Sequence, residues 1–244
     1  MKYLSILFFL IGSILFAQAP VKVPILIYHA IRPEKISDSP FVLKYVCTPK
    51  LFEKEMSYLH NNGYTSISFE DLTNYFNNKK VLPKKPVIIS FDDSWRDQYI
   101  YALPILKRYH FKATFFIITG SVGHRYFLTW RDIRMLATFG MEIGSHSVTH
   151  PFLTKVGWRN LKWEIVDSKK IIEAELENKV TTFAYPYGAY NPIVIQIVKW
   201  AGYTSARGVA IKEDTNRNKK DLFALKGNIY TNTMNGFLES FVDK

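Results

Sequence analysis

The stretch GSHSVTHP sets His146 and His150 four residues apart, and a proline, Pro151, follows the second at once. Two neutral imidazoles brought to one point are the beginning of a metal site. Residues four apart share a face on a helix. Here, however, Pro151 steers His150 out of the helical region, and Val148 and Thr149 are β-branched. The pair is therefore expected where a strand ends and runs into a loop. A second stretch, SFDDS, puts Asp92 and Asp93 side by side after an apolar run. Neighbouring side chains diverge, so one carboxylate can meet a cation while the other faces a substrate. Taken alone, either aspartate or Ser94 serves equally as the cap of a helix beginning at Trp95. Joined to the histidines, one aspartate completes a His2Asp set with an open position, the pattern of catalytic rather than structural metals. A metal held this way lowers the pKa of its water and polarises a carbonyl, which suits hydrolysis. Zinc fits such ligands best, with cobalt, nickel or iron chemically allowed.

These residues all fall just past apolar runs. VPILIYH (23–29), KPVIISFDD (85–93), KATFFIITG (112–120), MEIGSH (141–146) and TTFAYP (181–186) read as strands. YTSARGV (203–209) and LKGNIY (225–230) read as shorter ones. Helical stretches stand between them: 48–64, 95–109, 128–140, 158–178, 190–202 and 234–242. Thr48 and Thr129 are placed as N-caps, Gly63 and Gly140 as stops. Alternating strands and helices indicate a parallel α/β architecture. About seven units without a break in composition point to one domain, a distorted (β/α) barrel. In such barrels the chemistry gathers at the carboxyl ends of the strands. His29, Asp92, Asp93, His146, His150 and the YPYG turn (185–188) all lie there.

The 244 residues are 48% hydrophobic and 16% aromatic, enough for one sizeable core. A net charge of +11 comes from scattered lysines, and no nucleic-acid motif accompanies it. Such a surface is expected to associate loosely with anionic envelope polymers through interactions that salt screens. Residues 1–19 carry Lys2, an apolar run from Leu4 to Phe16 and then small residues. They read as a signal peptide or an uncleaved anchor, which places the 20–244 domain in the periplasm, at the cell surface or outside the cell. Cys47 is the lone cysteine, which excludes an intrachain disulfide and a cysteine metal cluster.

SFDD, HSVTHP and YPYG together resemble the three motifs of the polysaccharide deacetylase family (carbohydrate esterase family 4, the NodB homology domain). The approach LTWRDIRMLATFGMEIGSHS is similar too, and the likeness runs from about Val23 to the end. The resemblance implies a distorted barrel that uses one divalent metal to remove N- or O-acetyl groups from sugars. Carried over, Asp93, His146 and His150 would bind the metal and Asp92 would be the general base. The backbone N–H of Tyr187 would help hold the oxyanion, with Tyr185 beside it against the substrate. Two departures stand out. Ala184 occupies the place of the family's usual arginine, two residues before the proline. The family's late general-acid histidine is missing, since no histidine follows His150. Of His29, His60, His110 and His124, only His29 ends an apolar strand, so it is the expected acid. A strand bearing that histidine at the start of the chain is what circular permutation produces. The chain thus resembles the permuted subgroup that includes poly-β-1,6-N-acetylglucosamine deacetylases, which also lacks the arginine. The implied activity is that of an exported, monomeric deacetylase acting on N-acetylhexosamine in an acetylated glycan and releasing acetate. An O-acetyl esterase, a deacetylase of peptidoglycan or a lipid-linked sugar, and a non-catalytic glycan-binding protein on the same fold are the alternatives.

Overall fold

The computed structural model describes residues 21–209, 222–228, 233–239 and 241; the leader lies outside the described residues. In chain order the strands are β1 (Ile25–Tyr28), β2 (Ala30–Ile31), β3 (Val46–Cys47), β4 (Thr65–Ser66), β5 (Pro86–Phe91), β6 (Thr114–Ile117), β7 (Glu142–Ser145), β8 (Thr182–Ala184), β9 (Ser205–Val209) and β10 (Leu225–Gly227). The helices are α1 (Pro40–Leu43), α2 (Pro49–Asn61), α3 (Phe69–Phe76), α4 (Leu103–Arg108), α5 (Trp130–Thr138), α6 (Trp158–Lys162), α7 (Ser168–Leu176), α8 (Pro192–Trp200) and α9 (Met234–Glu239).

Seven of the strands form a parallel sheet in the order β1-β5-β6-β7-β8-β9-β10, with β4 alongside the start of β5. The sheet closes on itself. Ile27 N–H donates to the Asn228 carbonyl at 3.1 Å, and Asn228 N–H to the Ile25 carbonyl at 2.8 Å. The first strand is thereby inserted between the last strand and β5, the arrangement that a circular permutation requires. Its register with β5 pairs Tyr28 with Phe91, so His29 and Asp92 leave the barrel side by side.

Strand side chains alternate between the two faces. Leu26, Tyr28, Ile89, Phe91, Phe115, Ile117 and Phe183 belong to the larger buried cluster, shared with the helices. Ile25, Ile88, Phe116, Ala184 and Leu225 form a second, inner cluster together with Phe69, Leu72 and Phe76 of α3. Helix α3 therefore plugs the amino-terminal mouth of the barrel. Phe69 and Leu72 are fully buried there, each worth about 1.5–3 kcal/mol relative to exposure. Ser68 caps the helix in a reciprocal box with Asp71. Glu142, the first residue of β7, accepts hydrogen bonds from Phe69 N–H, Glu70 N–H and the Thr114 hydroxyl.

The expected strands are all present. Two expected helices are not continuous. The stretch 95–109 turns helical at Arg96 and passes through a π-helical turn (Gln98–Ala102) before α4. Asp92 and Asp93 therefore cap no helix at Trp95. The stretch 158–178 is interrupted by a second π-helical turn, Trp163–Asp167, between α6 and α7. A π turn takes in an extra residue and re-aims the side chains it carries. It leaves no trace in apolar spacing. The short β2 and β3, the excursion between them bearing α1, and β4 also went unread, because they are too brief to show a period. No helix was expected at 69–76 either, although the Ser68–Asp71 pair carries a start signal.

Candidate active site

His146 leaves the end of β7 almost wholly buried, and its Nδ1 lies 2.8 Å from the Ala184 carbonyl. A carbonyl only accepts, so Nδ1 carries the proton and Nε2 is free to bind a metal. Burial pushes the ring's pKa down to about 4, which keeps it in the neutral, ligating form near pH 7. His150 Nε2 stands 3.1 Å from His146 Nε2, and Asp93 Oδ1 lies 3.6 and 3.5 Å from the two nitrogens. Around a tetrahedral ion with bonds of about 2.0–2.2 Å, ligand atoms stand roughly 3.4 Å apart. The three side chains that could hold a metal therefore fit a zinc-sized ion as they are placed.

The backbone around them is strained. Asp93, Ser94, Ser147, His150 and Tyr187 have φ between 59° and 68°, five of the nine left-handed non-glycine residues described. Each such residue costs roughly 1–3 kcal/mol and persists only where its surroundings over-determine it. Ser94 Oγ accepts from Ile118 N–H, and Ser147 Oγ from His150 N–H. Gly120 N–H donates to the Val148 carbonyl so closely that a Cβ on Gly120 would stand 2.6 Å from that oxygen.

Asp92 is buried beside this set, with Oδ2 4.0 Å from His146 Nε2. Burial alone would raise its pKa. The fully buried Arg207 of β9, which donates to Asp92 Oδ1, outweighs that effect with help from His146 and His29. The carboxylate is held below its usual range and stays ionised. The Arg207 guanidinium also lies 4.8 Å over the Phe116 ring. Ala184 of β8 is in register with Arg207, so the next strand provides the cation that the sequence reading found missing at 184. The only signal for it was an arginine amid small residues in YTSARGV. Gly227 leaves the room, since a Cβ there would stand 2.8 Å from Arg207 Cδ.

His29 lies at the end of β1, half-buried, with its ring edge-on to Tyr45 at 5.0 Å. It lines one cleft of about 1460 Å³ with Asp92, Asp93, His146, His150 and Tyr187. Gln98, which the sequence reading also missed, donates through Nε2 to the carbonyls of His29 (2.8 Å) and Asp92 (2.5 Å) and ties the two strand ends together. His124 borders the cleft from an exposed loop, whereas His60 and His110 are exposed and line no part of it. The Tyr187 ring is more than half exposed, stacked on Phe152 at 3.9 Å and edge-on to His150. Tyr185 borders the cleft, but it is buried and its hydroxyl donates to the Phe223 carbonyl. It forms a wall and offers no open ring face.

A site of this composition, on the carboxyl rim of a closed parallel barrel, agrees with what comparison with known proteins finds. The polysaccharide deacetylase family model matches residues 79–206, just over half of the chain. YxkH of Bacillus subtilis, whose name places it among the polysaccharide deacetylases, is 32% identical over 85% of this chain and 71% of its own. A poly-β-1,6-N-acetyl-D-glucosamine N-deacetylase of Staphylococcus aureus is 27% identical over 72% of this chain and 68% of its own. Among solved structures, the Streptococcus pyogenes deacetylase PplD, in complex with acetate, superposes with a TM-score of 0.82 at 29% identity, covering 92% of this chain and all of that one. Barrel, motifs and relatives agree, and the chain belongs to the polysaccharide deacetylase family.

Proposed function

We propose that the chain is an exported, metal-dependent N-deacetylase of N-acetylhexosamine residues in a polysaccharide. The observation that carries this reading is the convergence of the Asp93, His146 and His150 ligand atoms, 3.1–3.6 Å apart, beside an ionised Asp92. Those three residues would hold the ion, with zinc the best match to their chemistry. When bound, the ion supplies Lewis-acid activation of the attacking water and of the acetyl carbonyl. Asp92, kept ionised by Arg207, takes a proton from that water. The Tyr187 backbone N–H donates to the oxyanion as charge develops. His29 delivers a proton to the departing amine, leaving acetate and a free amino sugar. The names of the Staphylococcus aureus relative and of PplD support deacetylation, and the amide rather than the ester is the proposal here.

Acetate release from defined oligosaccharides tests it, with β-1,6- and β-1,4-linked N-acetylglucosamine and O-acetylated glycans side by side. Release from the N-acetylated chains, lost with chelator and restored by Zn²⁺, is expected. Release that ignores chelator, or that comes only from O-acetyl esters, overturns the reading. The apolar leader and the +11 charge support work outside the cytoplasm, near anionic polymers. Fractionation should then find the protein with the envelope at low salt and released at high salt.

A further inference from the structure

We infer that Glu164 is the positioning residue of the metal-binding loop, an inference that rests on the metal reading above. Three residues separate His146 from His150, and one carboxylate gathers the donors of two of them, Val148 and Thr149. Glu164 Oε2 accepts from Val148 N–H and from Thr149 N–H, each at 2.8 Å, and Oε1 accepts from the Thr149 hydroxyl. Glu164 is buried, and among the described residues it has no salt-bridge partner. A buried carboxylate is costly unless its oxygens are satisfied, and here they are satisfied by the loop itself. The carboxylate and the loop shape therefore require one another. The π-helical turn Trp163–Asp167 makes this reach possible, since Glu164, Ile165 and Val166 are buried in succession, which a regular helical stripe does not place together. The loop so held is strained at both Ser147 and His150. Without the clamp it can relax, and His150 Nε2 would leave its place 3.5 Å from Asp93 Oδ1.

The molecule contains its own control. Glu142 is partly buried and likewise accepts from two backbone N–H groups and a threonine hydroxyl, but at the opposite end of β7. Metal-free protein is titrated with Zn²⁺ against a chromophoric chelator, and with Co²⁺ for its absorption spectrum. Glu164→Ala should bind Zn²⁺ about 10- to 100-fold more weakly, the usual range for loss of a group that orients a ligand, with an altered Co²⁺ spectrum. Glu164→Gln should retain most of the affinity. Its amide oxygen can still accept both N–H groups, and its NH₂ can donate to the Thr149 hydroxyl. Glu142→Ala should lose thermal stability as Glu164→Ala does, yet bind Zn²⁺ as the wild type does. If Glu164→Ala does not fold, Thr149→Val removes one bond of the three and should weaken binding in the same direction. Wild-type affinity in Glu164→Ala or Thr149→Val, or an equal loss in Glu142→Ala, overturns the inference alone. A wild type that takes up no Zn²⁺ overturns the metal reading and this inference with it.

Discussion

The two ends of β7 are each closed by a glutamate that accepts from the same kinds of hydrogen-bond donor, and the surroundings of the two differ. At the amino end, Glu142 meets the first turn of α3, a capped helix whose phenylalanines and leucine seal an apolar interior. At the carboxyl end, Glu164 meets a loop that holds two left-handed residues and two histidines, next to a buried aspartate–arginine pair. One rim carries packing, and its left-handed residues, such as His110 and Glu177, stand at helix ends. The other carries concentrated charge and strain. Barrel enzymes commonly keep stability at the amino face and chemistry at the carboxyl face, and here a single strand spans both.

Substitutions at the two rims should therefore separate turnover from stability. The largest effect belongs to Asp92→Asn, which should lower kcat by about 10²–10⁴-fold, the range for a general base. Zn²⁺ binding should persist, since Asp92 is not among the three converging ligands. Turnover near the wild-type rate would remove Asp92 from the role. Next is Arg207→Met, which leaves Asp92 charged and unpaired in the barrel and should cost about 3–5 kcal/mol in urea unfolding. The Asp92→Asn/Arg207→Met pair should recover much of that loss. Additive losses in the double variant would mean that the two residues are not coupled.

A third effect belongs to the amino rim and reads out in pH. Burial pushes Glu142 up to about 7, against 4.5 for the free side chain. The folded protein binds this proton more tightly than the unfolded chain does. The associated stability is thus full below pH 4.5 and is lost as pH rises through 7, on the order of 3 kcal/mol. The advantage of wild type over Glu142→Gln in urea midpoint should shrink from pH 4.5 to 7.5, and a gap that stays constant would contradict the shift. The smallest effect is that of Ser68→Ala, which removes the α3 cap and should cost about 1 kcal/mol with kcat unchanged. A fall in kcat would show that the amino plug communicates with the site.

Much of the fold is legible in local pattern. Apolar runs of strand length and helices with caps and stops announce a parallel barrel, and the reactive residues just beyond the runs announce its working rim. The π-helical turns were invisible because spacing statistics average over a single inserted residue. Yet those two turns carry Gln98, which ties His29 to Asp92, and Glu164, which holds the histidine loop.

Local pattern sets which residue types arrive at the rim: two carboxylates after β5, two histidines after β7, and a histidine after β1. Side-chain alternation and the proline after His150 are local properties, and they act wherever the strand lies. Which of these residues meet is a matter of strand order and register. The pairing of β1 with β5 puts His29 beside Asp92. The register of β8 with β9 replaces a missing arginine with Arg207, 115 residues from the aspartate it pairs with. Pairing across the barrel depends on strand order and on the space left at Gly227, and no local pattern encodes either.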